Sequence, residues 1–163
     1  MTTSTSAPTA APAPDGPRLK TLRADGVWEG RQRTRLTVRH FDLATGEPEK
    51  VGGDDSAPTP MELILAGLDG CLAVVVETVA GELGLGLHSL ALHSEAVMDS
   101  RGFGGVPGVR PYYQDVRTRV EVGLGEHTPD DVARLQTSVE ARCPALTLIR
   151  AADVDARVEW VVR

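Results

Sequence analysis

The stretch Pro58-Thr59-Pro60-Met61-Glu62-Leu63-Ile64-Leu65-Ala66-Gly67-Leu68-Asp69-Gly70-Cys71 decides how this chain is read. It opens with a helix start: Thr59 can act as N-cap, Pro60 as first helical residue and Glu62 as the partner that completes a capping box. Beyond it the residues stay almost wholly Leu, Ile, Val, Ala and Gly to about Leu83, which predicts a helix of roughly 36 Å. Glu62, Asp69 and Glu77 fall within about 80° of its wheel, and Cys71 lies about 180° from Glu62, on the apolar side. A helix so nearly apolar all round must be covered by sheet or by another subunit. Gly67 and Gly70 weaken it by up to ~1 kcal/mol each relative to Ala, which predicts close backbone contact in compensation.

On either side of this helix the period changes to two. Arg31–His40 alternates, with Arg31, Arg33, Arg35, Thr37 and Arg39 on one side and Gln32, Thr34, Leu36, Val38 and His40 on the other. That is a strand signal. The basic row reads either as a solvated sheet face or as a face where one arginine meets a partner subunit or a thiolate. His40 is read as structural. Ala44–Ala57 is a polar loop leading into the helix. Downstream, His88–Met98 and Tyr112–Val122 read as strands, joined by the glycine-rich Asp99–Pro111, a mobile hairpin loop or pocket lid. A second capped helix starts at Thr128-Pro129, with Asp131 as its capping partner, and continues to about Arg142. Pro144–Ile149 predicts a further short helix or turn, and Val154, Ala156, Val158, Trp160 and Val162 mark a last strand. This order predicts an α+β fold with antiparallel sheets wrapped around one long central helix.

Composition bounds the rest. The chain has 163 residues, which fits one domain, assigned to residues 18–163. Met1–Pro17, nearly all Thr, Ser, Ala and Pro, predicts a disordered tail. A net charge of -6 argues against nucleic acid and anionic membranes as partners. Seven of the 17 basic residues nevertheless fall between Arg18 and Arg39. No groove-reading helix accompanies them, so DNA binding is not expected. Absence of a secretory h-region and of a long uncharged apolar run predicts a cytoplasmic protein without a membrane span.

Two cysteines carry the chemistry, Cys71 and Cys143. Cys71 sits mid-helix, out of reach of the helix dipole, so a thiolate there needs a cation brought to it. Cys143 stands before Pro144 at a helix start, where free backbone N–H groups favour the charged form. Paired redox cysteines, two structural thiols and half of a metal site all fit these positions. Zinc fits worst, because no His stands at ligand spacing from either thiol.

The segment from Ala57 to Cys71, then Arg142-Cys143-Pro144 and a Val-rich final strand, resembles the OsmC/Ohr family over roughly Val27–Arg163. The resemblance implies an intertwined homodimer whose sheets wrap two central helices. It implies a thiol peroxidase of organic hydroperoxides, with Cys71 peroxidatic and Cys143 resolving. It also implies no cofactor and an external dithiol, of lipoyl type or other, as reductant. Peroxidase members carry a Glu directly after the proline, where this chain has Met61; Glu62 follows one position later. In the family the glutamate at the Met61 position pairs with an activating arginine; Glu62 is the nearest candidate here but is swung by about 100° on the helix, and Arg39 is the choice of arginine, with Arg35 behind it. The alternative is a non-enzymatic dimer that binds a small apolar molecule beside reduced thiols.

Overall fold

Capping chemistry sets the start of the central helix. In the computed structural model, which describes residues 16–163, Thr59 Oγ1 accepts from the Glu62 amide at 3.2 Å. The Glu62 carboxylate accepts from the Thr59 amide at 2.7 Å in return. Helix α1 then runs Pro60–Glu82. Thr59→Ala removes half of the box and is expected to cost about 1 kcal/mol. Calorimetry should read this as a Tm drop of roughly 2–4 °C for a domain of this size. An unchanged Tm would mean that packing alone holds the start of α1. Of the expected Met1–Pro17 tail, residues 1–15 lie outside the described residues.

Strands β4 (Leu87–Met98), β5 (Tyr113–Leu124) and β6 (Asp155–Val162) form a sheet in that order. β4 and β5 run antiparallel, as expected, but β6 lies parallel to β5. The all-antiparallel expectation is therefore corrected. The reason is the crossover: α3 (Pro129–Arg142) and α4 (Pro144–Ala151) carry the chain from the end of β5 back to its start, so β6 leaves in the same direction. Alternation is clean on β5, where Val116, Thr118, Val120 and Val122 are buried and Arg117 and Arg119 are exposed. The buried side meets Leu68, Leu72, Val76, Val79 and Ala80 of α1, with Leu135 and Val139 of α3 and Leu146 of α4 in the same core. Asp69 is accommodated amid this apolar packing because Ser94 donates to it and shares a 2.7 Å hydrogen bond with Thr118. By length and composition α1 could cross a membrane, which the sequence reading did not foresee. Here it packs against β4, α3 and α4.

The Asp99–Pro111 connection includes a short helix, α2 (Ser100–Phe103). Gly102 packs so close to Arg110 and Pro111 that a Cβ would sit 2.4 Å from the Arg110 carbonyl oxygen.

The first sheet of the chain precedes α1: β1 (Asp25–Gly30), β2 (Arg33–Val38) and β3 (Phe41–Thr45), an antiparallel meander. The expected ten-residue strand Arg31–His40 is shorter than predicted, because both ends turn. Arg31 and Gln32 have φ of 45° and 60° and form a two-residue hairpin loop, and Arg39 turns the chain again at φ 59°. These turns use arginine and glutamine where glycine or asparagine usually signals a turn. Trp28, Leu36, Val38, Phe41 and Leu43 share one face of the meander by register. That face has no extensive packing against a helix or the other sheet among the described residues, and Trp28 stays 74% exposed. Helix α1 has an open side too, with Ile64 and Val74 exposed. A Cβ at Gly67 or Gly70 would meet nothing within 4 Å, so the backbone contact predicted there is absent within one chain.

Candidate functional site

Cys71 comes from the middle of α1, and Cys143 from the junction where α3 ends and α4 begins. Cys143 serves both helices: its N–H bonds the Val139 carbonyl at 2.9 Å to close α3, and it is the N-cap of α4 with Pro144 at the first position. This double duty follows from Pro144, which cannot continue α3 but starts a new helix readily. The two sulfurs lie 3.4 Å apart, both as free thiols. A disulfide needs an S–S separation of about 2.05 Å, a small movement from this position.

Burial overrides the activation expected at Cys143. The helix start at Cys143 suggested activation, yet its side chain is fully buried while Cys71 is half-buried. Burial pushes the Cys143 thiol up from an ordinary 9.0 to about 11. The amides of Leu146 and Ala145 in the first turn of α4 pull the other way, but desolvation outweighs them. Below pH 9 both folded and unfolded chains hold this proton; between about 9 and 11 the unfolded chain loses it and the folded chain does not. Stability is therefore expected to fall as pH rises through that window. Urea midpoints at about pH 8 and about pH 10.5 should show this slope, and Cys143→Ser should reduce it to the share left by Tyr113, whose raised pKa acts in the same direction above 10.0.

Beside Cys71 lies a cleft of about 390 Å³ lined by Val74, Val75, Thr78, Arg142 and Pro144. The Thr78 hydroxyl is spent on the Val74 carbonyl at 2.7 Å, which leaves Arg142 as the charged member of the lining. Both terminal nitrogens of Arg142 bond Glu82, the second at 2.9 Å. That pairing holds the Glu82 carboxyl below the usual carboxylate range and raises the guanidinium further. Neither residue was singled out from the sequence. The available signals were the position of Arg142 directly before Cys143, and Glu82 standing eleven residues after Cys71, on the same side of α1.

The other sequence candidates lie elsewhere in the protomer. Glu62 is occupied by the α1 cap, about 14 Å from Cys71 along the helix axis at 1.5 Å per residue. Arg39 sits in the β2–β3 turn with its guanidinium 4.9 Å from the Phe41 ring centre, beside a separate cleft lined by Lys20, Leu22 and Arg23. Arg35 pairs with Glu29 at 3.1 Å. Met61 packs against the core, and its carbonyl accepts from the Tyr113 hydroxyl, whose own pKa is pushed up by burial. His40 stacks on Phe41, with ring centres 4.0 Å apart. No group of three or more His, Cys, Asp or Glu side chains that could hold a metal occurs among the described residues.

The profile of the family described as OsmC-like protein matches residues 53–159, which spans α1, both cysteines and most of β6. The chain belongs to the OsmC-like family. Solved structures of the same fold include an OsmC-like protein of unknown function from Vibrio cholerae, at 10% identity and a TM-score of 0.73, covering 88% of this chain and 100% of that one. An organic hydroperoxide resistance protein OsmC from Legionella pneumophila matches at 20% identity and a TM-score of 0.65, over 88% of this chain and 98% of its own. The organic hydroperoxide resistance protein OhrB of Bacillus subtilis matches at 17% identity and 0.57, over 86% and 98%. At these identities the likeness is one of fold. Among curated protein sequences, none matches the chain. Family membership and the mixed α+β architecture thus agree with the resemblance read from the two cysteine motifs.

Proposed function

We propose that this protein is a cytoplasmic thiol-dependent peroxidase of organic hydroperoxides, acting as a homodimer in peroxide defence. The observation that carries the reading is the pair of free sulfurs 3.4 Å apart, one fully buried and the other opening on an apolar cleft. In the proposed cycle the Cys71 thiolate attacks the terminal oxygen of an alkyl or lipid hydroperoxide. The O–O bond breaks, its electron pair departs with the alkoxide, which takes a proton and leaves as alcohol, and Cys71 becomes a sulfenic acid. Cys143 then attacks that sulfur; its proton and the displaced hydroxyl leave as water, and the disulfide forms. Cys143 becomes the attacking thiolate by giving up its proton, which the leaving hydroxyl takes. An external dithiol of lipoyl type returns the two electrons by thiol–disulfide exchange.

Valines and Pro144 around Cys71 favour organic peroxides over hydrogen peroxide, since the cleft offers an alkyl group burial and offers little to water. Support for a second copy comes from two uncovered apolar surfaces, the outer side of α1 and the Trp28–Leu43 face of the first sheet. Within a protomer Glu62 serves the cap and Arg39 the turn, so any part for Arg39 requires its delivery by that second copy. The same cleft also suits the second reading, a dimer that binds a small apolar molecule beside thiols that stay reduced. Intact-mass measurement after one equivalent of cumene hydroperoxide separates the two. Loss of two hydrogens supports the peroxidase; an unchanged mass in the wild type overturns it in favour of binding.

A further inference from the structure

We propose that Arg142, parked on Glu82 along the cleft wall, is the positive charge that supports Cys71 as a thiolate. This deepens the peroxidase reading and rests on it. Arg142 is the charged member of the cleft lining, and its backbone is joined to Cys143, whose sulfur touches Cys71. Consecutive Cα atoms stand 3.8 Å apart, so the side chain starts beside the sulfur pair. Cys71, Val75, Thr78 and Glu82 follow one stripe of α1 at steps of four, three and four residues. Cys71 and Glu82 are separated by about 16 Å of helix rise. Arg142 therefore lies along that stripe, rooted beside Cys143 and fastened to Glu82 at its far end.

The fastening is open to solvent, with the two side chains 45% and 53% exposed. Exposed pairs of this kind hold weakly, so the guanidinium can exchange Glu82 for a thiolate. The other arginines first considered for this task are committed to the N-terminal sheet and its loop. Arg31 donates to the Gly53 carbonyl at 2.8 Å, Arg33 and Arg35 pair with Glu29, and Arg39 covers Phe41. Of the charged residues on α1, α3 and α4, Arg142 is the one that lines the cleft with Cys71, and Glu82 is its partner. Asp69 is turned toward Ser94 of β4 instead.

The test is the pH profile of iodoacetamide alkylation of Cys71, followed in a Cys143→Ser background where Cys71 is the sole thiol. Arg142→Gln is expected to raise the midpoint by about one pH unit, equivalent to a roughly tenfold slower reaction near pH 7. Arg142→Lys should restore most of that shift, and Glu82→Gln should move the midpoint the opposite way by removing the competing carboxylate. Arg134→Gln, a residue of α3 paired with Asp131, should leave the profile unchanged. If Arg142 were only a staple between helix ends, Arg142→Gln and Glu82→Gln would both lower Tm and leave the midpoint in place, which overturns the assignment. So would a shift produced by Arg39→Gln and not by Arg142→Gln. Alkylation needs no peroxide, so the outcomes separate cleanly. A moved midpoint with no peroxide-driven disulfide in the wild type rejects the peroxidase reading alone, and a disulfide with an unmoved midpoint rejects the charge assignment alone.

Discussion

Cys71→Ser should abolish peroxide-driven disulfide formation and lower hydroperoxide consumption by at least about a thousandfold, the scale expected when a covalent nucleophile is removed. The hydroxyl that replaces the sulfur is not ionised at neutral pH and does not attack an O–O bond. Cys143 cannot substitute, because it is fully buried and its proton is held to about 11. Cys143→Ser should behave differently. The first step survives, one equivalent of hydroperoxide is consumed, and Cys71 gains one oxygen that a sulfenic-acid trap such as dimedone captures. Mass spectrometry of the two variants after a single equivalent of cumene hydroperoxide reads both results. Should Cys143→Ser lose the first step while Cys71→Ser keeps it, the assignment of the two sulfurs is inverted. A Cys71→Ser protein that still consumes hydroperoxide at the wild-type rate removes the thiol from the mechanism altogether.

Leu72→Ala should cost about 2–5 kcal/mol, the range for deleting a buried leucine side chain and leaving a cavity. Leu72 is completely buried next to Cys71 and belongs to the cluster that ties α1 to the second sheet and to α3. Against a total stability of roughly 5–15 kcal/mol, that loss is a large fraction. Urea denaturation should show a lower midpoint at unchanged slope. Ile64→Ala offers the contrast, because Ile64 is 51% exposed on the open side of α1. If a second copy covers that side, the Ile64 variant should lose stability in a way that grows as protein is diluted, whereas the Leu72 deficit should not depend on concentration. A Leu72→Ala deficit under about 1 kcal/mol would contradict the packing of α1 on the sheet.

The readings that held rest on short-range chemistry. Both capping boxes were visible because a Thr, a Pro and an acidic residue fall within four positions, and hydrogen bonds over that span depend on little else. The β5 alternation was visible because one face of that strand meets a core and the other meets water. Arg39 was misplaced on a strand because its turn uses residues with no turn signature. The β6 direction was missed because parallel and antiparallel pairing depend on where a crossover returns the chain, not on the strand's own residues.

The site divides in the same way. Residue type and helix position alone made Cys71 and Cys143 the candidates, and the order of the two motifs pointed to the family. Their meeting at 3.4 Å spans 72 residues, and it depends on α3 and α4 folding back over α1. Which thiol is sheltered is likewise a property of the packed core: desolvation of Cys143 overrides the helix-start amides that were legible in the chain, because burial acts through every neighbour at once and a cap through two N–H groups. Arg142 joins the cleft and meets Glu82 for the same reason, since the ends of two helices far apart in sequence become neighbours when their apolar faces share one core.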